Sequence, residues 1–376
     1  MIKISLKKQK AGNTDSLLSE IRNLILSARN AAVRNVNLIQ VMTNFEIGKR
    51  IVEHEQKGKV RAKYGKEVLK ELSERLSGEF GRGFSKSNLE YMRKFYVLYG
   101  SRVSGKTQMP SGQLVKNQKL PFRSTHSLSH NHSPAAPPFQ LSWSQYVLLL
   151  GIKDSEARTF YEIEAAANNW TLPELSRQFN ASLYERLALS RDKKAVNDLS
   201  RKGQIVAKAE DLLKEPYVLE FLGLEERTTY SETDLETAII DKLEKFLREL
   251  GKGFLFESRQ QRFTFDEEHF FVDLVFYNRL LRCYVLIDLK IGKLVHQDLG
   301  QMQMYVNYYD RHVKTNDEKP TIGIILCKKK HDALVEITLP KNSNIFAKQY
   351  QLYLPSKEEL KQKLMDWTET LERERR

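Results

Sequence analysis

Three closely spaced runs of strand-forming residues, Phe254–Phe265, 270–277 and 283–289, most constrain what this chain can become. Each is rich in Phe, Val, Ile or Tyr, so each reads as a β-strand. A helical stretch over 235–250 precedes them and closes at Gly251-Lys252-Gly253. A second helix, from 295 to about 311, follows and leads to the continuous apolar run 321–327, the pattern of a buried strand. The order helix, three strands, helix, strand is the core of a mixed α/β sheet with helices packed on its faces.

Two carboxylates interrupt these apolar runs. A hairpin loop of two or four residues centred between Leu280 and Leu281 pairs positions whose numbers sum to 561, so Val275 meets Leu286 and Asp273 meets Asp288. Side chains alternate with period two, which puts Asp273, Asp288 and Lys290 on one face. Asp is disfavoured inside strands, and opposed carboxylates repel unless a positive charge lies between them. A divalent cation, Mg2+ with Mn2+ as the alternative, supplies that charge, and Lys290 beside it is suited to orient or help deprotonate a water and to stabilise charge on a phosphate. The plainer reading is of two solvent-facing Asp residues on a half-exposed sheet.

The rest of the chain differs in charge. Residues 1–150 hold 25 Lys/Arg and 10 Asp/Glu, a surplus of +15, whereas residues 151–376 sum to −2. A basic block joined to a nearly neutral one suggests a polyanion-binding module. Apolar residues repeat at helical spacing over most of residues 16–99, interrupted by Gly81-Arg82-Gly83-Phe84. This turn between two helices resembles a helix-turn-helix in which 85–99 enters the major groove of duplex DNA, with Arg82, Lys86, Asn88, Arg93 and Lys94 as candidate contacts. Residues 101–138 carry five Lys/Arg, no acid and five prolines, a composition that predicts a flexible basic linker. His126, His130 and His132 within it have no Cys or carboxylate neighbours, so a metal site there is disfavoured. Capping boxes at Ser142/Gln145 and Thr171/Glu174 start further helices, a charged helical segment runs to Lys214, and Pro216 marks a boundary. Four segments result: 1–100, 101–138, 139–215 and 216–376. Cys283 and Cys327 read as buried free thiols. With neither a membrane-spanning apolar run nor a signal-peptide pattern, a cytoplasmic location is expected.

Asp273, a hairpin, and Asp288-Leu289-Lys290 resemble the PD-(D/E)XK nuclease signature. Leu235-Glu236, 270–273, Gly300-Gln301-Met302 and 321–327 are similar to its YhcG-type branch, as are Gly65, Gly81-Arg82-Gly83-Phe84-Ser85 and Asn88-Leu89-x-x-Met92-Arg93 in the N-terminal part. Asp288 departs from the Glu common in that branch, although the superfamily motif permits either. The resemblance implies an N-terminal helical region followed by a restriction-endonuclease-like mixed sheet flanked by helices. It also implies a Mg2+-dependent endodeoxyribonuclease whose metal ligands are Asp273 and Asp288, with Glu236 as the helical acid that often completes the site. Thr233-x-x-Glu236 also fits a capping box, and both readings of Glu236 stand. Gln301, one turn from Gln297, has the family match for contacting substrate phosphate. A non-catalytic DNA-binding or recruitment protein on a nuclease-like fold is the alternative, and RNA the alternative substrate. A C-terminal helix bearing Leu360, Leu364, Trp367 and Leu371 packs on its own domain or offers a homodimer contact.

Overall fold

In a computed structural model the described residues are 35–56, 62–103, 138–190, 193–224, 229–265, 267–340 and 342–356, with a few isolated positions besides. Most of the expected basic linker, its three histidines and most of the expected C-terminal helix lie outside them. The chain divides into two compact units, Met1–Lys153 and Asp154–Arg376.

The first unit is helical: α1 (35–56), α2 (Ala62–Phe80), α3 (Lys86–Val103) and α4 (Trp143–Leu150). Helix α3 buries Leu89, Met92, Phe95 and Tyr99, spaced by three, three and four residues, the stripe of an amphipathic helix. Phe95 is the hub of an aromatic core, with ring centroids 4.9 Å from Tyr99, Phe139 and Tyr146. Helix α1 crosses α3 at Gly48, where a Cβ would stand 2.0 Å from the Met92 carbonyl oxygen, so only glycine permits that approach. Between α2 and α3, Gly81 and Gly83 take φ values of +79° and +121°, the left-handed conformation that closes a short turn at little steric cost.

The second unit opens with α5 (Ser155–Ala167), α6 (Leu172–Asn180), α7 (Leu183–Leu189) and α8 (Lys193–Lys202). The Thr171/Glu174 capping box forms as expected. The charged segment does not stay helical to Lys214, however; it ends at Lys202, and Gly203 at φ +70° turns the chain away. The sheet follows: β1 (Tyr217–Val218), β2 (Phe254–Phe265), β3 (Glu268–Asn278), β4 (Cys283–Lys293), β5 (Ile322–Lys329) and β6 (Ile345–Gln351), in the spatial order β1-β6-β5-β4-β3-β2. Strands β2, β3 and β4 pair antiparallel, and β4, β5, β6 and β1 pair parallel. Helices α9 (Glu232–Asp241) and α10 (Leu243–Leu250) precede β2, and α11 (His296–Tyr308) and α12 (Asp332–Thr338) flank β5. The N-terminal helical region and the mixed sheet flanked by helices match the expected fold class.

The single helix expected over 235–250 is two. Lys242, at φ −120°, breaks it, and both halves still bury apolar residues against the sheet: Leu235 and Ile239 from α9, Phe246 and Leu250 from α10. One core joins these to Leu274, Phe276, Ile287 and Leu289; a second packs α11 through Leu299, Met302 and Tyr305 onto Val275, Leu286 and Ile325. Neighbouring strand residues thus feed opposite cores, the alternation that fixes register.

Candidate active site

The β3–β4 ladder runs from Asn278↔Cys283 through Tyr277↔Tyr284 and Val275↔Leu286 to Leu274↔Ile287, the expected register across a four-residue loop. It stops one rung short of the two carboxylates. There the side chain of Asp273 takes over, its Oδ2 accepting a hydrogen bond of 2.8 Å from the Leu289 backbone N–H. Beyond this point Phe270 and Val272 pack in the α11 core, while Leu274 and Phe276 pack in the α9–α10 core. Strict alternation would place all four on one side, so β3 bends away from β4 at Asp273.

The same bend appears on β2. Gln260, opposite Asp273, has φ +47°. Its side-chain amide donates to Glu236 Oε2 at 2.6 Å and to Asp273 Oδ1 at 3.1 Å, bridging the helical acid and the strand acid. Of the two readings of Glu236, the cap falls elsewhere: Ser231 and Asp234 form the capping box of α9. Glu236 is instead turned inward, and burial, with Asp273 adding to it, raises its pKa above the ordinary carboxylate value.

Asp288 is 2% exposed. Burial and the nearby Asp273 push its pKa up to about 7, against the pull of Lys290. Lys290 Nζ lies 2.8 Å from Asp288 Oδ2 and 3.9 Å from Glu232 Oε2. The Asp288 contact is a close ion pair, and Lys290 is the cation beside that buried oxygen. Burial pulls the Lys290 pKa down, but Asp288 and Glu232 outweigh it, so the group stays an ammonium. Asp273, Asp288 and Lys290 therefore meet at the end of the β3–β4 ladder, with Glu236 joined through Gln260.

Gln301 does not reach this cluster directly; its amide donates to the Tyr305 hydroxyl one turn along α11. Burial raises that phenol to about 12, and Asp288 and Asp273 add to the rise, so Tyr305 is an α11 group within electrostatic reach of both acids. Gln297 is exposed. Gln260, Tyr305 and Glu232 are site residues that the sequence pattern does not single out. The polar run Arg259-Gln260-Gln261-Arg262 inside a strand is the available signal for the first, and the i, i+4 spacing from Gln301 for the second.

In the helical unit, the candidate contacts separate into two groups. Asn88 accepts from Trp143 Nε1 at 2.8 Å and donates to the Gly83 carbonyl, pinning the turn to α4. Arg93 pairs with Glu55 at 2.7 Å, and Lys94 donates to the Leu150 carbonyl. Arg82 and Lys86 are exposed, in the turn and at the start of α3.

Among the described residues no group of three or more His, Cys, Asp or Glu side chains is assembled to hold a metal ion. Mg2+ does not need one, because it keeps several waters and is held by one or two carboxylates. The buried Asp288 carboxylate and the adjacent Asp273 are hard oxygen donors of that kind, and they fit such an ion. No helix of the described residues is long and apolar enough to cross a membrane.

Comparison with known proteins identifies the family. Residues 210–365 match the YhcG PDDEXK nuclease domain and residues 20–186 the DUF1016 N-terminal domain. The chain is 39% identical over 355 residues to "Putative nuclease YhcG" of Escherichia coli (strain K12), covering 94% of each chain. Two solved structures overlap in part at 14% identity: a repair endonuclease from Pyrococcus abyssi (35% of this chain, 50% of that one, TM-score 0.23) and an EndoMS–double-stranded DNA complex (35% and 49%, TM-score 0.24). Overlaps of that extent carry no argument. The two domain matches and the full-length relative do: the chain belongs to the YhcG-type PD-(D/E)XK nuclease family, whose members act on nucleic acid and whose signature implies a divalent cation.

Proposed function

We propose that the protein is a Mg2+-dependent endodeoxyribonuclease, with Mn2+ able to substitute, that hydrolyses phosphodiester bonds at Asp273, Asp288 and Lys290. The observation that carries the reading is the buried Asp288 carboxylate, paired at 2.8 Å with the Lys290 ammonium while a second carboxylate, Asp273, stands beside it. Burying one carboxylate beside another, with a single ammonium to offset them, is costly and is relieved by a cation. When bound, the cation supplies neutralisation of phosphate charge and a more acidic water. Asp273 and Asp288 hold it, and Gln260 fixes the Asp273 and Glu236 carboxylates in mutual register. Lys290, held protonated, stabilises negative charge developing on the scissile phosphate instead of taking a proton from water. Gln301 acts through Tyr305, whose hydroxyl it orients toward the acids.

The test is cleavage of supercoiled and linear DNA with Mg2+ by wild type and Lys290→Ala. Loss of one preorganised electrostatic group should lower kcat by about 10²–10³-fold. Equal cleavage rates would place catalysis elsewhere, and no cleavage by either protein would leave a DNA-binding scaffold; cleavage of RNA in preference to DNA would reassign the substrate.

We assign duplex holding to the basic helical unit, through Arg82 and Lys86. Each phosphate contact adds close to one unit to the slope of log affinity against log salt. The Arg82→Ala/Lys86→Ala variant should therefore show a slope shallower by about two, measured by titration between 50 and 200 mM salt. An unchanged slope would remove these two residues from the interface.

A further inference from the structure

The β2–β3 hairpin continues past the carboxylates as a two-stranded arm, with rungs Gln261↔Val272, Arg262↔Phe271, Phe263↔Phe270 and Thr264↔His269. Its inner face is anchored. Phe263 stacks on Tyr308 at 4.3 Å between centroids and on Phe270 at 5.7 Å, and Val272 is fully buried in the α11 core. Its outer face carries Arg262 and Phe271, the latter 43% exposed, although an aromatic ring that size is ordinarily covered. Arg262 is exposed and takes no ion-pair partner among the described residues. Two residues inward along each strand lie Gln260 and Asp273, which touch each other in the site. A two-residue step is about 7 Å, or roughly two base steps of a stacked strand.

An exposed ring with a guanidinium opposite it on a rigid two-stranded arm has the chemistry of a nucleobase platform. The ring offers a stacking face to any base, and the cation pairs with the adjoining phosphate or stacks in turn. A base inside an intact duplex has both faces covered by its neighbours. Phe271 is therefore matched to a base that has left the stack. We propose that Phe271 and Arg262 hold an unpaired base next to the scissile phosphate, so that the enzyme acts preferentially on DNA that is single-stranded or locally unpaired at the cut. This rests on the nuclease reading above and deepens it by naming the substrate class.

The test uses the full-length protein and three DNA probes of one sequence: fully paired, with a single-nucleotide bulge, and single-stranded. Each carries 2-aminopurine, whose fluorescence falls when it stacks on an aromatic ring. Binding is measured without divalent cation, so turnover does not enter. Wild type should quench the unpaired probes and bind them more tightly than the duplex. Phe271→Ala should lose the quench and about tenfold or more in affinity for unpaired probes, with duplex affinity unchanged. Phe271→Leu keeps apolar bulk without a π-face and should behave like Phe271→Ala, whereas Phe271→Trp should behave like wild type. Quenching that persists in both Phe271→Ala and Phe271→Leu overturns the platform, as does an equal loss of affinity for all three probes. If no probe is cleaved when Mg2+ is added but the quench depends on Phe271, the nuclease reading fails and the platform stands. Cleavage with Phe271-independent quenching overturns only the platform.

Discussion

Asp288→Asn should abolish cleavage and, in the absence of added cation, make the protein more stable above neutral pH. Two opposed consequences follow from one feature. The Asp288 carboxyl is buried beside Asp273, which lifts its pKa from an ordinary 3.8 to about 7. An acid with a raised folded-state pKa keeps a proton that the unfolded chain releases. Stability from this group is therefore fully present below about 4 and is lost as pH rises toward 7. The neutral amide never suffers that loss. Each pH unit between the unfolded and folded pKa values corresponds to about 1.4 kcal/mol, so Asp288→Asn should gain about 1–4 kcal/mol over wild type at pH 8 and little at pH 4. Activity should fall by at least about 10²–10³-fold, because a charged oxygen donor is gone. Thermal unfolding at pH 4 and pH 8 in a chelator, repeated with Mg2+, separates these effects. The cation should raise the wild-type melting temperature and leave that of Asp288→Asn nearly unmoved. An equal stability difference at both pH values would show that Asp288 is not held under electrostatic stress.

Much of this site is legible in the sequence because it rests on period-two alternation. The pairing of Val275 with Leu286 and Tyr277 with Tyr284 follows from the short loop that joins the two apolar runs, and a slip by one would exchange the residues that feed the two cores. What alternation misses is where it is broken. The bend at Asp273 depends on the left-handed conformation of Gln260, a residue thirteen positions away whose role appears only once β2 and β3 are paired. The cap of α9 lies two residues before the one expected, because Ser231/Asp234 and Thr233/Glu236 offer the same spacing and only the inward turn of Glu236 distinguishes them. Asn88 has the position of a base-reading side chain at a helix start, yet a contact from Trp143, 55 positions on, uses its acceptor. Strands β1 and β6 carry no comparable signal. One is two residues long, and the other, Ile345–Gln351, mixes Lys and Gln with its apolar positions.

Glu249→Ala should be the most destabilising single change outside the site. Arg186 and Glu249 both lie on helices, α7 and α10, and both side chains are 0% exposed and paired. Arg186 also donates to the carbonyls of Ala181 (2.7 Å) and Pro216 (3.0 Å), and Glu249 accepts from the Val218 backbone N–H at 3.0 Å. Lys214 and Arg177 complete the cluster, donating to the Glu249 carbonyl and carboxylate respectively. Burial alone would raise the Glu249 pKa, but these cations overcome it and bring it down to about 2. Burial lowers Lys214 to about 8 although Glu249 pulls it up, so Lys214 depends on that acid for its charge. Truncating the single acid leaves Arg186 and Lys214 buried without a counter-ion, a loss of about 3–5 kcal/mol. Glu249→Gln keeps the acceptor for Val218 but not the charge, and should fall between. Urea unfolding would measure both, with Glu244→Ala on the exposed face of α10 as the control. Equal midpoints for Glu249→Ala and the control would refute the expectation. Replacing Arg186 and Glu249 together by Leu should recover part of the loss, since apolar pairs of similar volume often do as well as buried ion pairs. Such a recovery would show that the cluster contributes little net stability. Its remaining effect is on geometry: α10 ends at Leu250, four residues before β2, the strand that carries Gln260 to the two carboxylates.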